Sequence, residues 1–394
     1  MEKEINSLLS CFEAFGLQYF SLRKDDLHSR PSIWRTVYFA FILFLITVAF
    51  VTTAVISNVF YLEEMSTKCL VLYAVRNFMI IGLILAIYTS IIQSYFSTRS
   101  TKKIFNNCKD IFDAFQVEFN VNINLKDLKK RTWKKVAQAM MFLTATHSTM
   151  LALHENSSIS IAEKFLSFIP MTFYISVVFK YIFYVTTINF HLELLEKLLR
   201  NVAIKKEDKI MEKIIPGRNL RPVSVTSQEY IDPMKQFRAA RKIYNLISEN
   251  GDLVNKCHGF TILVLLLGIV LTLTGSGYRA FMIIMKNLSW RETPGVLYVL
   301  VMTITILIAI VVHCNNTTQL IKKLATTVNK IECENFDYLK ADVRQVLENF
   351  YSQLISQPVE FTANDFYTIN LALLGSIITG VMSYEVILVQ FYAS

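Results

Sequence analysis

Seven long runs of apolar side chains divide this chain and constrain its fold more tightly than any motif. They cover residues 33–60, 69–97, 136–154, 161–189, 258–277, 295–314 and 365–392. A helix rising about 1.5 Å per residue needs about 20 residues to cross roughly 30 Å of hydrocarbon, and each run approaches or exceeds that length. Water is absent there, so backbone N–H and C=O groups must pair within the segment, which dictates α-helix. Composition agrees. Gly and Pro number 11 and 7 in 394 residues, and charged residues are 18% against 53% apolar, which excludes a soluble domain. The expected fold is an all-α membrane protein with seven transmembrane helices.

Orientation follows from Lys and Arg, which resist translocation. Residues 1–31 hold four, 98–135 ten, 190–257 thirteen and 315–363 five. The alternate loops 61–68, 155–160 and 277–294 hold one, none and three. The N-terminus is therefore expected in the cytoplasm and the C-terminus outside, the inverse of a G-protein-coupled receptor. Glu2, Lys3, Glu4, Glu13, Asp25 and Asp26 interrupt residues 1–31, so the first span is expected to act as its own insertion signal. Sequons at Asn156 and Asn287 fall outside on this scheme, whereas those at Asn315 and Asn316 fall inside. The net charge of +9 is explained by these inner loops, which speaks against a nucleic-acid partner.

Cys11, Cys108, Cys257, Cys314 and Cys333 fall at the inner side, leaving Cys69 outside without a disulfide partner in the chain. No CxxC spacing supports a metal site, and the absence of HExxH, GxSxG and Walker patterns argues against an enzyme or a cofactor. Helical periodicity continues past the membrane in residues 191–200, 237–254 and 337–355, giving apolar stripes that must be covered. These extensions predict a cytoplasmic anchor. The organisation expected is an N-terminal segment (1–31), six spans with long inner loops (32–336), an anchor helix and linker (337–363) and a final helix (364–394). No internal repeat supports a transporter.

On the final helix Ala372, Ser376, Gly380, Ser383, Ile387 and Gln390 recur at steps of three or four and share one small, polar face. Such a face serves either close helix packing or the wall of a water-filled pore. From the helix alone both readings stand.

The helix ends Ser383-Tyr384-Glu385-Val386-Ile387-Leu388-Val389-Gln390-Phe391. This resembles the C-terminal signature of insect gustatory receptors: Thr-Tyr, five apolar residues, Gln-Phe. Ser383 replaces Thr, and Glu385 occupies a normally apolar place. The approach Phe361-Thr362-Ala363-Asn364-Asp365-Phe366-Tyr367 and the early Gly16-Leu17-Gln18-Tyr19-Phe20 are similar to further family motifs, with Tyr19 in place of Pro. The resemblance implies a ligand-gated cation channel in the plasma membrane of sensory dendrites, a homotetramer or a heteromer with related receptors. Its pore would be lined by the last helix, with a tastant bound in the outer half of each bundle. Ser376, Gly380, Ser383, Ile387, Gln390 and Phe391 would then line and gate the pore, and Tyr384 would brace the helix. Glu385, about 180° from the centre of the polar face, is expected against another helix of its own subunit.

Polar side chains in the outer halves of the spans are the ligand candidates: Tyr73, Arg76, Thr144, His147, Tyr174, Thr272 and Tyr298. Each could instead be satisfied by a neighbouring helix. Arg76 stands apart, because a guanidinium inside a membrane helix pairs with a carboxylate, faces a wet cavity or snorkels. Few carboxylates are available to satisfy sugar hydroxyls, which favours an apolar or amphipathic, bitter-type ligand. A metabotropic chemoreceptor and a transporter are the competing classes.

Overall fold

The computed structural model describes residues 37–38, 40–48, 51, 67–121, 134, 161–214, 233–285, 293–334 and 341–393. The expected third span, 136–154, lies outside the described residues, and the first is described as helix over 40–48. The remaining elements are α1 (Thr67–Phe96), α2 (Thr98–Phe119), α3 (Ile161–Ile214), α4 (Pro233–Ile284), α5 (Thr293–Glu334), α6 (Ala341–Ser356), β1 (Thr362–Ala363), β2 (Tyr367–Thr368) and α7 (Leu371–Ala393). The protein is an all-α membrane protein apart from this one short strand pair. Among the described residues, α3, α4, α5 and α7 are each long and apolar enough to cross a bilayer.

Three of these helices are far longer than a membrane is thick. α3, α4 and α5 have 54, 52 and 42 residues. At about 1.5 Å per residue they reach roughly 60–80 Å, about twice the hydrocarbon thickness. The apolar segment 258–277 is therefore only the distal part of α4, whose basic proximal part carries Lys235, Arg238, Arg241 and Lys242. Pro233 occupies its first turn, where a missing N–H costs no hydrogen bond.

Two expectations need correction. No helix is expected from the sequence in 98–135 or between the sixth span and residue 337, yet α2 occupies 98–119 and α5 runs on to Glu334. In α2 the polar average conceals a buried stripe of Ile104, Phe105, Cys108, Ile111, Phe112, Phe115 and Phe119. The helix stops at Asn120, whose left-handed φ of 49° turns its N–H onto the Phe115 carbonyl.

The final helix begins at Leu371 rather than at 364 or 365. Residues before it form a hairpin in which Thr362 pairs with Thr368 and Ala363 with Tyr367. Asn364 and Asp365 turn the chain at φ of 52° and 60°, the left-handed values of a type I′ turn, which these two residue types tolerate. The Phe366 N–H closes the turn onto Ala363 O at 3.1 Å. Asn370 then caps α7, its side-chain oxygen accepting the Leu373 N–H at 3.0 Å.

Helix α4 is the axle of the chain, packing against α1, α2, α3, α5, α6, β1 and α7. The stripe of α6, Val343, Leu347, Phe350 and Leu354, is buried, with Phe350 edge-on to Tyr244 of α4 at 5.9 Å between ring centres. Buried Glu196 of α3 holds Arg200 at 2.8 Å and Lys323 of α5 at 3.3 Å. The helical extensions thus pack together on the side that the basic residues assign to the cytoplasm.

Candidate functional site

α7 is apolar along its whole length yet scarcely buried. Among its described side chains only Ile377 and Val381 are buried, and they seat the helix on α4 and α5. Leu373, Leu374, Glu385 and Leu388 complete that contact face as half-buried neighbours. On the other side Ala372, Ser376, Ser383, Ile387 and Gln390 are exposed, and Gly380 is half-buried with open space beyond its Cα. Among the described residues, the small, polar face is therefore not a packing face.

The hydroxyls on this face bond to their own helix. Ser376 Oγ donates to Ala372 O at 3.2 Å, and Ser383 Oγ to Thr379 O at 2.9 Å. Such back-bonding satisfies the donors and leaves each oxygen able to accept from water. Gln390 presents an amide with both donor and acceptor character one turn beyond Ile387. Phe391 belongs to α7, but its side chain lies outside those described.

Tyr384, expected to brace the helix, is 59% exposed. Glu385 turns the opposite way. Its carboxylate abuts Gly277 of α4, so closely that a β-carbon there would overlap it.

The ligand candidates are dispersed. Tyr174 is buried on α3, Tyr298 is half-buried on α5, and Thr272 on α4 donates its hydroxyl to Gly268 O at 2.7 Å. Tyr73 and Arg76 lie on α1 with side chains outside those described, and Thr144 and His147 lie outside the described residues altogether.

A buried amine escaped the sequence reading. Lys180, 2% exposed in the middle of the apolar part of α3, donates to Ser94 Oγ of α1 at 2.7 Å. A Lys in the middle of the 161–189 run, well inside from Lys164 near its start, was the available signal, of the kind that singled out Arg76. Gly277 was also missed, because a helical glycine carries no chemistry of its own.

A bundle of membrane helices that extend into a shared extramembrane body, with a thinly attached terminal helix, is the architecture of a multi-pass membrane protein. The sequence profile described as 7tm chemosensory receptor matches residues 5–394, and the chain belongs to that family. In structure it is similar to the insect olfactory receptor OR5 from Machilis hrabei, with a TM-score of 0.64 over 99% of both chains at 12% identity. The same receptor in complex with eugenol gives 0.61 over 99% of this chain and 98% of that one, also at 12% identity. A sequence comparison with curated proteins finds no match.

Proposed function

We propose that this chemosensory receptor is a ligand-gated, non-selective cation channel of gustatory type, assembled as a homotetramer or with related receptors in the plasma membrane of sensory dendrites. One observation carries the reading: the polar face of α7 is exposed on the chain that bears it. Hydroxyls, an amide and small side chains do not suit lipid contact, whereas several copies around an axis would give them water. Ser376, Gly380, Ser383, Ile387 and Gln390 then line the pathway, with Ile387 as the apolar constriction, Gln390 as the polar ring and Phe391 beside it.

The activating ligand on this reading is apolar or amphipathic and non-sugar, held among Tyr73, Arg76, Thr144, His147, Tyr174, Thr272 and Tyr298. The structurally similar olfactory receptor is described with eugenol, a small aromatic, which fits a ligand of that class.

Whole-cell recording from cells expressing this chain tests the proposal. Quinine is expected to evoke a cation current within milliseconds that persists under G-protein block, and sucrose none. Gln390→Ala is expected to alter ion preference. A slow response abolished by G-protein block would replace the channel with a metabotropic receptor, and a sucrose-only current would overturn the ligand class.

A further inference from the structure

The glycines of α4 mark where other segments press against it. A β-carbon on Gly259 would stand 2.9 Å from the backbone nitrogen of Asn364, in the hairpin turn. One on Gly277 would overlap the Glu385 carboxylate. Gly268, between them, meets Gly82 of α1 instead. Eighteen residues separate Gly259 from Gly277, which is about five helical turns, so the two share one face roughly 27 Å apart, while Gly268 points about 180° away. The hairpin and α7 are thus seated on α4 at two notches, one at each end of the apolar span.

The two seats differ in kind. The Gly259 seat holds backbone, which is tied to α4 by the Asn255 side chain: Asn255 Oδ1 accepts the Thr362 N–H at 3.1 Å, and Asn255 Nδ2 donates to Glu360 O at 2.7 Å. The Gly277 seat holds the end of a side chain, beside buried Ser276. Between them Ile377 and Val381 are the buried side chains of α7, flanked by half-buried Leu373 and Leu374. Glu385 sits one residue from Val386 and two from Ile387, so whatever places it also places the exposed face one step round the helix. It is also, with Ser383, one of the two residues at which this ending departs from the gustatory signature.

We propose that Glu385 is a positioning residue: lodged in the Gly277 notch, it sets the height and rotation of the outer half of α7 about the fixed hairpin pivot. The assignment rests on the reading of α7 as the pore helix. Shape does this work, with the carboxylate oxygens resting on a glycine Cα that can offer weak C–H donors. A glutamine fills the notch equally well. A methyl group on Gly277 evicts either.

The test is a paired substitution with two readouts, quinine-evoked current and surface level by biotinylation. Gly277→Ala is expected to reach the surface, since alanine favours helix, and to lower current or sensitivity about tenfold or more. Adding Glu385→Ala to Gly277→Ala is expected to restore the response to within about threefold of Glu385→Ala alone, whereas adding Glu385→Gln is not. Glu385→Gln by itself is expected to match the wild type, and Gly375→Ala, where open space surrounds the Cα, serves as the neutral control. Wild-type behaviour of Gly277→Ala, or a defect that Glu385→Ala leaves unrelieved, overturns the assignment.

A second arm does not depend on current. Oxidation of Gly277→Cys/Glu385→Cys is expected to give a linked peptide pair by mass spectrometry, and Gly277→Cys/Val386→Cys none. A silent wild-type channel with that linkage formed sinks the channel reading and keeps the seat; current without the linkage sinks the seat alone.

Discussion

The Tyr244 hydroxyl donates to the Gln357 carbonyl at 2.8 Å, tying α4 to the chain that leaves α6 and leads through the hairpin to α7. Tyr244 is fully buried and Gln357 ends a helix, so the bond supplies a carbonyl that has no helical partner of its own. Tyr244→Phe is expected to keep the packing against Phe350 and lose about 1 kcal/mol, while Tyr244→Ala loses about 3–5 kcal/mol through the cavity it opens. Thermal unfolding of the detergent-solubilised receptor separates the two; equal melting temperatures for all three proteins would remove this tie from the account.

Asn370 stands in the same path. Its replacement by Ala strips the cap from α7 at a cost of about 1 kcal/mol, and Asn370→Asp or Asn370→Ser is expected to retain most of it. Hydrogen exchange at the first turn of α7 should rise in Asn370→Ala only.

The acid on α3 makes an asymmetric prediction. Glu196 is buried, but Arg200 and Lys323 are about half exposed, at 54% and 51% of their side chains. Glu196→Ala returns two cations to water and is expected to cost only about 1–2 kcal/mol. Removing both cations strands a buried carboxylate, so Arg200→Ala/Lys323→Ala is expected to cost about 3–5 kcal/mol, more than the sum of the single changes. Strict additivity in thermal melts would contradict this.

Gly259→Ala meets backbone, not a side chain, and nothing there can be trimmed to make room. A cost of about 1–3 kcal/mol is expected, against a neutral or slightly stabilising Gly375→Ala on open α7. Thermal melts of the two variants side by side decide it.

Burial pushes the Cys108 thiol on α2 up to about 12, against a partial offset from the hydrogen bond that Asn250 donates to it. The group therefore stays a protonated thiol at neutral and mildly alkaline pH, and only a thiolate reacts rapidly. N-ethylmaleimide at pH 8 is expected to label exposed Cys333 and spare Cys108 in the folded receptor, as read by peptide mass spectrometry. Labelling of Cys108 at a comparable rate would show α2 to be less firmly docked than its buried stripe implies.

Much of this receptor is written locally. Apolar runs longer than a bilayer is thick, a basic bias on alternate loops and the Ser383-to-Phe391 ending needed no tertiary information, because each reflects a chain's interaction with lipid, translocation or its own helix. The i, i+4 pair of Glu196 and Arg200 was legible for the same reason. What folding alone decided is which faces meet. The stripe of α2 and the run of α5 to Glu334 lie in segments that are polar on average, and they are helices in a structure that packs α2 on α4 and α5 on α3, α4 and α6. The start of α7 moved to Leu371 because Asn364 and Asp365 could adopt the left-handed turn and dock on Gly259. The partner of Glu385 is a glycine 108 residues away, a residue whose only property is the volume it lacks, and such a match exists in no sequence window.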